Sequence, residues 1–358
     1  MILRSTLFTS RGGDTIQALE TARLLRHYGY AVDIRLTTEK INYNQYSLLH
    51  FFNITRPADI LCHIKKTKLP FVVSTIAVNY SEYDRLHRTG TAGFALRFFH
   101  GDAIEYVKVI ARWIAGKEKL MSLRYLFRGQ KSSIHEIIDK AAMVLPNSAS
   151  EHKRLMKSYA CKTRCMIIPN GVDTELFRYD PGIEKDSRMV LCVARIEGLK
   201  NQLNLIYALN NTKYRVVLIG AAAIHQHRYY KLCLRNAAAN ISFVDHLSQQ
   251  QLVPYYQRAK VHVLPSWFET TGLSSLEAAA MGCSVVITEK GDGHEYFGDD
   301  ALYCDPGSPQ SIYDAVERAA ALPVNHTLIS KINQSFTWRL AGHYTAQGYH
   351  ETINSACP

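Results

Sequence analysis

The sequence lacks the long apolar runs of membrane-spanning proteins. No stretch approaches the about 18 uninterrupted apolar residues that a spanning helix needs. The N-terminal stretch MILRSTLFTSRGG also lacks the long apolar core of a signal peptide. No low-complexity tract is present, and the 47% of hydrophobic and 20% of charged residues are typical of a soluble globular protein. We therefore expect a cytoplasmic protein.

Common signatures of metal, dinucleotide and ATP sites are missing as well. Most of the eight cysteines lie inside apolar runs, and the pair in CKTRC has no second Cys/His pair at zinc-finger spacing. The stretch GGDTIQ lacks the GxGxxG spacing, and the residues around Gly116 and Lys117 lack both the first glycine and the Ser/Thr of a Walker loop. We expect reduced packing cysteines, no metal and no cofactor.

Positive charge is concentrated in one segment. The net charge is +11, and residues 85–131 contain ten Lys or Arg against three acidic residues. The same segment carries the aromatic residues Phe94, Phe98, Phe99, Tyr106, Trp113, Tyr125 and Phe127. A basic helix face with aromatic residues suits anionic lipid headgroups or a phosphate-bearing partner. A solvated helix face above ordinary core aromatics has the same composition, so both interpretations stay open.

Both halves of the chain alternate short apolar runs with helical patterns. In the first half the runs predict strands at 2–8, 31–36, 48–53 and 71–75, and in the second half they are MVLCVAR, YRVVLIG, ISFVD, VHVLP and CSVVIT. This alternation favours two doubly wound parallel sheets, and 358 residues suffice for two cores. The Pro/Gly-rich stretch MIIPNGVDTELFRYDPG separates them, which predicts domains at 1–170 and 171–335. Apolar residues at helical spacing predict a C-terminal helix at 336–358, which we expect to cross back to the N-terminal domain.

Loops at the carboxyl ends of parallel strands are the expected ligand sites, here in a cleft between the two domains. After the first strand, Gly12 and Gly13 let the backbone approach a ligand closely, and the helix that follows offers free N–H groups to an anion. Strand-to-helix turns also use glycine for geometry alone. His50 and Asn53, at the end of a later strand, are further cleft candidates.

The second half carries a fuller set of polar residues. Arg195 and Lys200 follow a strand, in a position where two cations can converge on a diphosphate. In PSWFETTGLSSLEAAAMGC, the N–H groups of Thr271, Gly272 and Leu273 open a helix and can hold a phosphate. Two carboxylates flank this turn. Glu277 on the helix can accept hydrogen bonds from two vicinal hydroxyls, and Glu269 before it would face the group that the phosphate carries.

Together, the GG loop, PNGVDTELF, VARIEGLKN and PSWFETTGLSSLEAAAMGCSVVITEKGDGHEYFGDDALYCDPGSP resemble retaining glycosyltransferase family four, which has the GT-B fold of two Rossmann-like domains. The likeness is strong over about 169–320 and loose over 54–145. Its most specific part is the EX7E motif, which Glu269 and Glu277 match.

The resemblance implies roles for these residues. Arg195 and Lys200 would contact the donor diphosphate, Glu277 the ribose and Glu269 the transferred sugar, while Gly13 would approach the phosphate from the other domain. It implies transfer of a hexosyl or N-acetylhexosaminyl group with retention and without a metal, in polysaccharide, lipopolysaccharide or glycolipid assembly. The absence of a DxD triplet is consistent with metal independence.

One position departs from the family pattern. Ala77 stands where many members carry a histidine facing the sugar. Asn79, Tyr80 and Glu82 could replace its hydrogen bonds on the acceptor side, or cap the next helix instead. Asp14 could contact an acceptor hydroxyl or cap a helix. The acceptor is expected to be a saccharide or a lipid-linked molecule.

Three alternatives remain. A nucleotide-sugar epimerase or a glycogen-synthase-like enzyme could use the same fold and donor site. A nonenzymatic protein could bind nucleic acid or anionic membrane through residues 85–131, although no RNA- or DNA-reading motif is present. If the transferase interpretation holds, the same segment would place the enzyme on the inner face of the cell membrane, and no nucleic-acid partner is expected.

Overall fold

The computed structural model describes residues 1–9, 12–87, 101–116, 119–160 and 162–356. The predictions for Cys161, Cys357 and the parts of the basic segment at 88–100 and 117–118 lie outside these ranges. The chain divides into an N-terminal unit, formed by Met1–Pro169 with Arg339–Pro358, and a C-terminal unit, Asn170–Trp338. The divisions therefore follow residues 169 and 338, compared with predicted divisions after residues 170 and 335. In the described part of the chain, the helices are too short or too polar to span a bilayer.

The N-terminal unit is built on a parallel sheet with strand order β2-β1-β3-β4-β5. Its strands are β1 (Ile2–Leu3), β2 (Arg35–Leu36), β3 (Leu49–Phe52), β4 (Phe71–Ser74) and β5 (Met143–Leu145). Every residue of β3, β4 and β5 is buried, as expected of parallel strands covered on both faces. The predicted strand at 2–8 ends early because the chain turns after Arg4, whose carbonyl accepts a hydrogen bond from Leu7 N at 3.1 Å.

Helices cover this sheet and link its strands. They are α1 (Gly13–His27), α2 (Pro57–Ile64), α3 (Asp102–Ile114), α4 (Arg124–Lys140), α5 (Ala149–Tyr159) and the C-terminal α13 (Trp338–Ala356), with a π-helical turn at Tyr83–His87. From α13, the Tyr349 hydroxyl hydrogen-bonds His50 Nδ1 at 2.8 Å, and Ser74 Oγ bonds His50 Nε2 at 2.9 Å. His50 is therefore a core residue of this unit, and its assignment as a cleft candidate is wrong.

The C-terminal unit contains a six-stranded parallel sheet of order β11-β10-β9-β6-β7-β8. Its strands are β6 (Asp186–Val193), β7 (Arg215–Ile219), β8 (Ile241–Val244), β9 (Ala259–Leu264), β10 (Ser284–Thr288) and β11 (Leu302–Cys304). Its helices are α6 (Gln202–Leu209), α7 (His227–Asn236), α8 (Gln249–Arg258), α9 (Leu273–Ala280), α10 (Gly293–Phe297), α11 (Pro309–Ala321) and α12 (His326–Ser335). Five of the strands match the predicted apolar runs, and β11 is additional.

Candidate functional site

The strand order of the C-terminal unit places two loops side by side. From β6 the chain adds β7 and β8 on one side, and it then crosses to build β9, β10 and β11 on the other. The loops that follow β6 and β9 therefore leave adjacent strands in opposite directions, and such a switch point is the usual ligand site of open parallel sheets. The first loop carries Arg195 and Lys200, and the second carries Glu269 and Thr271.

Lys200 and Glu269 meet at this switch point. The Lys200 ammonium forms an ion pair with Glu269 Oε1, and both side chains are mostly buried. Ser266 Oγ donates a second hydrogen bond to the same oxygen at 2.6 Å. Two residues that the sequence separates by 69 positions are thus in direct contact, with a third polar group that fixes the carboxylate.

Arg195 has a different partner. Its guanidinium donates to Glu197 Oε1 at 2.8 Å, and 41% of its side chain is exposed while the Glu197 side chain is mostly buried. Gln202 holds this loop, since its Nε2 donates to the Arg195 carbonyl at 2.9 Å. The arrangement orients a partly exposed cation at the end of β6, where it can meet an anion from solvent.

The turn before α9 is fixed by residues from two other parts of the unit. Gly272 adopts a left-handed conformation, with φ of 70°, and directly precedes the first helical residue, Leu273. Thr271 Oγ1 accepts a hydrogen bond from Asn170 Nδ2 at 3.0 Å and donates one to the Tyr296 hydroxyl at 3.2 Å. Because glycine offers no side chain to cap α9, the first N–H groups of the helix are suited to bind an anion.

Glu277 lies in the second turn of α9 and is buried. Gln249 Nε2 donates to its Oε1 at 3.1 Å, and the Tyr256 hydroxyl donates to its Oε2 at 2.9 Å. Burial raises the pKa of Glu277 to about 7, although the two hydrogen bonds act in the opposite direction. Its carboxyl group therefore changes charge near neutral pH, in contrast to an ordinary exposed glutamate.

The backbone of Glu269 is held by the loop after β10. Glu269 N donates to the Lys290 carbonyl at 3.1 Å, and Asp292 N donates to the Glu269 carbonyl at 2.9 Å. Gly291, between these two partners, has φ of 120°, and a Cβ there would lie 1.8 Å from the Glu269 carbonyl oxygen. Only glycine therefore permits this close approach, which sets the position of Glu269 from a neighbouring strand.

In the N-terminal unit, the glycine loop leads into α1 as predicted from the sequence. Gly12 precedes the helix in an extended conformation, and Gly13 is its first residue. Gly12 N donates to Thr15 Oγ1 at 3.2 Å, and Asp14 forms an ion pair with Arg4, with Arg4 Nε 2.6 Å from Asp14 Oδ2. Asp14 thus fixes the turn after β1, and its proposed contact with an acceptor stays a prediction.

The acceptor-side candidates lie in the segment after β4. Asn79 Oδ1 accepts hydrogen bonds from Ser81 N at 3.1 Å and from Ser81 Oγ at 2.6 Å. This is the local capping geometry that was one of the two predicted roles of Asn79. Tyr80 and Glu82 are partly buried in the same turn. Ala77 stands where many family members carry a histidine, and its backbone N–H donates to Glu151 Oε1 at 2.6 Å.

Several residues that support the candidate site were not identified from the sequence. Ser266 and Asn170 lie inside recognised motifs, so the residues around them could have identified them from the sequence. Tyr296 also lies inside a recognised motif. Gln249 and Tyr256 lie on α8, and no local pattern connects them to Glu277. Only the packing of the helices brings them together.

Comparison with known proteins finds similarity to glycosyltransferases. Residues 173–333 match the family model described as Glycosyl transferases group 1. The chain is 27% identical over 261 residues to D-inositol 3-phosphate glycosyltransferase of Pseudarthrobacter chlorophenolicus, covering 62% of this chain and 58% of the relative. It is 24% identical over 348 residues to the protein of that name in Corynebacterium aurimucosum, covering 86% and 82%. The chain therefore matches less than two thirds of the length of the Pseudarthrobacter chlorophenolicus relative.

Solved structures extend the likeness to almost the whole chain. Sucrose-phosphate synthase from Thermosynechococcus elongatus has a TM-score of 0.76 at 16% identity, with 99% of each chain covered. Anabaena Alr3699/HepE in complex with UDP and glucose has a TM-score of 0.66 at 14% identity, with 98% of this chain and 99% of that chain covered. At such identities the likeness concerns the fold, and the predicted GT-B class with two Rossmann-like domains is confirmed.

Proposed function

We propose that this chain is a glycosyltransferase, since residues 173–333 match the group 1 glycosyltransferase model, and that it transfers a sugar from a nucleotide diphosphate sugar to a saccharide or lipid-linked acceptor. The observation that carries the proposal is the contact of Lys200 with Glu269 at the switch point of the C-terminal sheet. There a cation and a carboxylate stand in loops from adjacent strands, one of which leads into the uncapped start of α9.

The residues of this site have different proposed roles in donor binding. Lys200 and Arg195 supply positive charge for the diphosphate, and the N–H groups of Thr271, Gly272 and Leu273 supply hydrogen bonds. Glu277 accepts hydrogen bonds from the vicinal hydroxyls of the ribose. These donors and cations stabilise the charge that develops on the departing diphosphate, which is the main demand of such a transfer.

Glu269 is the proposed contact of the transferred sugar. In the free protein its carboxylate binds Lys200 and Ser266. A diphosphate would compete with Glu269 for the Lys200 ammonium, so donor binding would release carboxylate oxygen for sugar hydroxyls. We propose retention of configuration, no metal requirement, and a hexosyl or N-acetylhexosaminyl group as the transferred sugar. Gly12 and Gly13 are proposed donor contacts, and Asp14, Asn79, Tyr80 and Glu82 acceptor contacts.

A thermal-shift panel of UDP-, GDP-, ADP- and TDP-sugars tests the donor class. UDP-glucose is the first choice, because the structural relative from Anabaena has been solved with UDP-glucose. We expect one nucleotide class to raise the melting temperature, by an amount that grows with ligand concentration and is unchanged by EDTA. A shift that requires Mg²⁺ would contradict metal independence.

Lys200→Gln, with Lys213→Gln as its matched control, ties the shift to the proposed site. Lys213 is an exposed lysine that pairs with Glu317, so its loss should leave the ligand-induced shift unchanged. Lys200→Gln should abolish most of it. Equal shifts in both variants would place nucleotide binding elsewhere. NMR of the product then tests retention through its anomeric configuration, whereas an epimerase would convert the donor to its epimer and transfer no sugar to an acceptor.

A further inference from the structure

Two side chains of α8 bind the carboxyl group of Glu277, one at each oxygen. Gln249 Nε2 donates to Oε1 at 3.1 Å, and the Tyr256 hydroxyl donates to Oε2 at 2.9 Å. Gln249 is the first residue of α8 and is partly exposed, whereas Tyr256 lies in the last turn and is fully buried. They lie about two helical turns apart, so they share one face of α8. A single helix therefore supplies both donors.

These two donors leave acceptor capacity on both oxygens of Glu277. An ionised carboxylate offers about four lone pairs to hydrogen-bond donors, about two on each oxygen. Within the part of the chain that the structure describes, Gln249 and Tyr256 are the donors to this side chain. Each oxygen therefore keeps a lone pair for a ligand. This arrangement suits two hydroxyl groups on adjacent carbon atoms, such as the 2′ and 3′ hydroxyls of a ribose.

Tyr256 is held in one orientation by its neighbours. Its ring packs edge to face against Phe177, with ring centroids 5.7 Å apart, and the centroid of the His262 ring lies at 6.0 Å. All three side chains are fully buried, and close packing of this kind holds a ring in one rotamer. Burial also raises the pKa of Tyr256 well above its ordinary value, so the hydroxyl keeps its proton and acts as a donor.

Lys185 joins the helix that carries the donors to the helix that carries Glu277. Its ammonium donates to the Tyr256 carbonyl at 2.7 Å and to the Met281 carbonyl at 2.6 Å. Met281 directly follows the last residue of α9, so one cation links the ends of α8 and α9. The backbone positions of Tyr256 and Glu277 are therefore coupled, and the hydroxyl meets the carboxyl group on a rigid support.

Stability alone does not explain a carboxyl group in this position. A buried glutamate with two neutral partners stabilises a fold less than a well-packed apolar residue of similar volume. Burial raises the pKa of Glu277 to about 7 although both hydrogen bonds act in the opposite direction, so the charged form is only partly compensated. Two further hydroxyl donors from a ligand would supply the missing compensation.

We propose that Gln249 and Tyr256 are positioning residues: they orient the Glu277 carboxylate toward the 2′ and 3′ hydroxyls and so make the donor site selective for ribonucleotides over deoxyribonucleotides. The inference rests on the proposed function and deepens it, because it restricts the class of nucleotide donor. Sugars carried on uridine, guanosine or adenosine diphosphate meet this requirement, whereas those on deoxythymidine diphosphate lack the 2′ hydroxyl.

Nucleotides that lack one or both hydroxyls measure the selectivity directly. Calorimetric titrations compare UDP, GDP and ADP with their 2′-deoxy and 2′,3′-dideoxy forms, so the result does not depend on which base the site prefers. The parent should bind the ribonucleotide of its preferred base about tenfold tighter than the 2′-deoxy form, because the analogue loses a hydrogen bond to a charged acceptor. The dideoxy form should bind most weakly.

Two variants each remove one donor and keep most of the packing. Tyr256→Phe and Gln249→Met should each reduce the preference for the ribonucleotide over the dideoxy form severalfold, while the Kd of the dideoxy form stays close to the parental value. Tyr214→Phe changes an equally buried tyrosine directly before β7, and Gln250→Met changes an exposed glutamine next to Gln249. Both of these controls should retain the parental preference.

The Glu277→Ala background separates positioning from a purely structural role. If Tyr256 acts through the carboxylate, Tyr256→Phe should have no further effect on the hydroxyl preference once Glu277 is alanine. A tyrosine that only stabilises the fold would weaken the ribonucleotide and the dideoxy form by the same factor in both backgrounds. Melting temperatures without ligand show whether each variant is folded, and Gln249→Met changes a partly exposed side chain, so it provides the test if Tyr256→Phe does not fold.

Three results would overturn the inference. They are equal affinity of the parent for the ribonucleotide and the dideoxy form, a parental preference in both Tyr256→Phe and Gln249→Met, and equal weakening of both ligand forms in these variants. In each case nucleotide binding itself persists, so the proposed transferase function is untouched. A parent that binds none of the nucleotides would instead contradict the proposed function, and this inference with it.

Discussion

At the scale of single residues, Glu269 and Glu277 differ in the charge of the groups that bind their carboxyl oxygens. Glu269 binds a lysine and a serine, so its charge is compensated in the free protein. Glu277 accepts hydrogen bonds from two neutral donors, Gln249 and Tyr256, and its burial raises its pKa to about 7. In the proposed function, these two glutamates, eight positions apart, would have different tasks: Glu269 would respond to the donor diphosphate, and Glu277 to the ribose hydroxyls.

Substitution should separate these two tasks. Glu277→Ala removes a charged hydrogen-bond acceptor for the ribose and should weaken nucleotide binding about tenfold to a hundredfold. Glu269→Ala should change nucleotide affinity by a few-fold at most but abolish sugar transfer. Calorimetric titration and a turnover assay measure the two effects, with Glu175→Ala, an exposed carboxylate, as control. Parental turnover in both variants would refute the assignment.

The pKa of Glu277 predicts a pH dependence of donor binding. Ribose hydroxyls favour the carboxylate form, whereas the free protein holds the proton below a pH of about 7. Binding must then release that proton, so the Kd for UDP-glucose should rise as pH falls below 7, by up to about tenfold per pH unit, and level off above it. Glu277→Gln should show a flat profile, and an unchanged slope in that variant would exclude Glu277 as the source.

At the scale of elements, the loops after neighbouring strands fix one another. Gly291 follows β10, and its close approach to the Glu269 carbonyl couples that loop to the one after β9. Asn170 and Tyr296 hold Thr271 through side-chain hydrogen bonds from outside the two loops. The geometry of the candidate site therefore depends on backbone contacts between loops as much as on the side chains that would touch a ligand.

Gly291→Ala tests this dependence. Its Cβ would lie 1.8 Å from the Glu269 carbonyl oxygen, so the loops must separate. We expect a loss of about 3 kcal/mol or more in unfolding free energy and a loss of donor affinity. Gly298→Ala is the control: it also has positive φ, 55°, but the nearest atom to its Cβ is the flexible Lys331 Nζ at 3.5 Å. Equal destabilisation of both variants would show that backbone strain alone is responsible.

At the scale of the whole molecule, each unit carries histidines that are buried in the neutral form. In the N-terminal unit, His50 and His63 are buried, and desolvation lowers the pKa of His63 to about 4 and that of His50 well below its usual value. In the C-terminal unit, desolvation lowers the pKa of His262 to about 3. Neither unit can protonate these rings without losing packing.

Both units should therefore lose stability in acid. The unfolded chain binds protons at these histidines below a pH of about 6.5, while the folded chain does not, so unfolding becomes easier as pH falls from 6.5 towards 4. Each histidine contributes up to about 1.4 kcal/mol per pH unit in that range. Urea titrations between pH 4 and 7 measure the slope, and His63→Gln should reduce it for the N-terminal unit. A slope that His63→Gln leaves unchanged would contradict the prediction.

The sequence by itself determined the class of fold and the location of the candidate site. Parallel strands buried on both faces appear as short continuous apolar runs, so their alternation with helical patterns predicted two doubly wound sheets. The loops after such strands are the places where ligands bind, and these loops carry Arg195, Lys200, Glu269 and Thr271. Local pattern is sufficient for both inferences, because it is set by neighbours in the chain.

Only the tertiary structure decided which groups meet. The ion pair of Lys200 with Glu269 and the hydrogen bonds of Gln249 and Tyr256 to Glu277 join residues 21 to 69 positions apart, and no periodicity encodes them. Side-chain exposure is likewise invisible in the sequence, where Phe127, which is 90% exposed, and the fully buried Tyr125 both appear as aromatic residues in a basic segment. Long-range packing, which depends on the whole chain at once, sets the partners and the burial of each side chain.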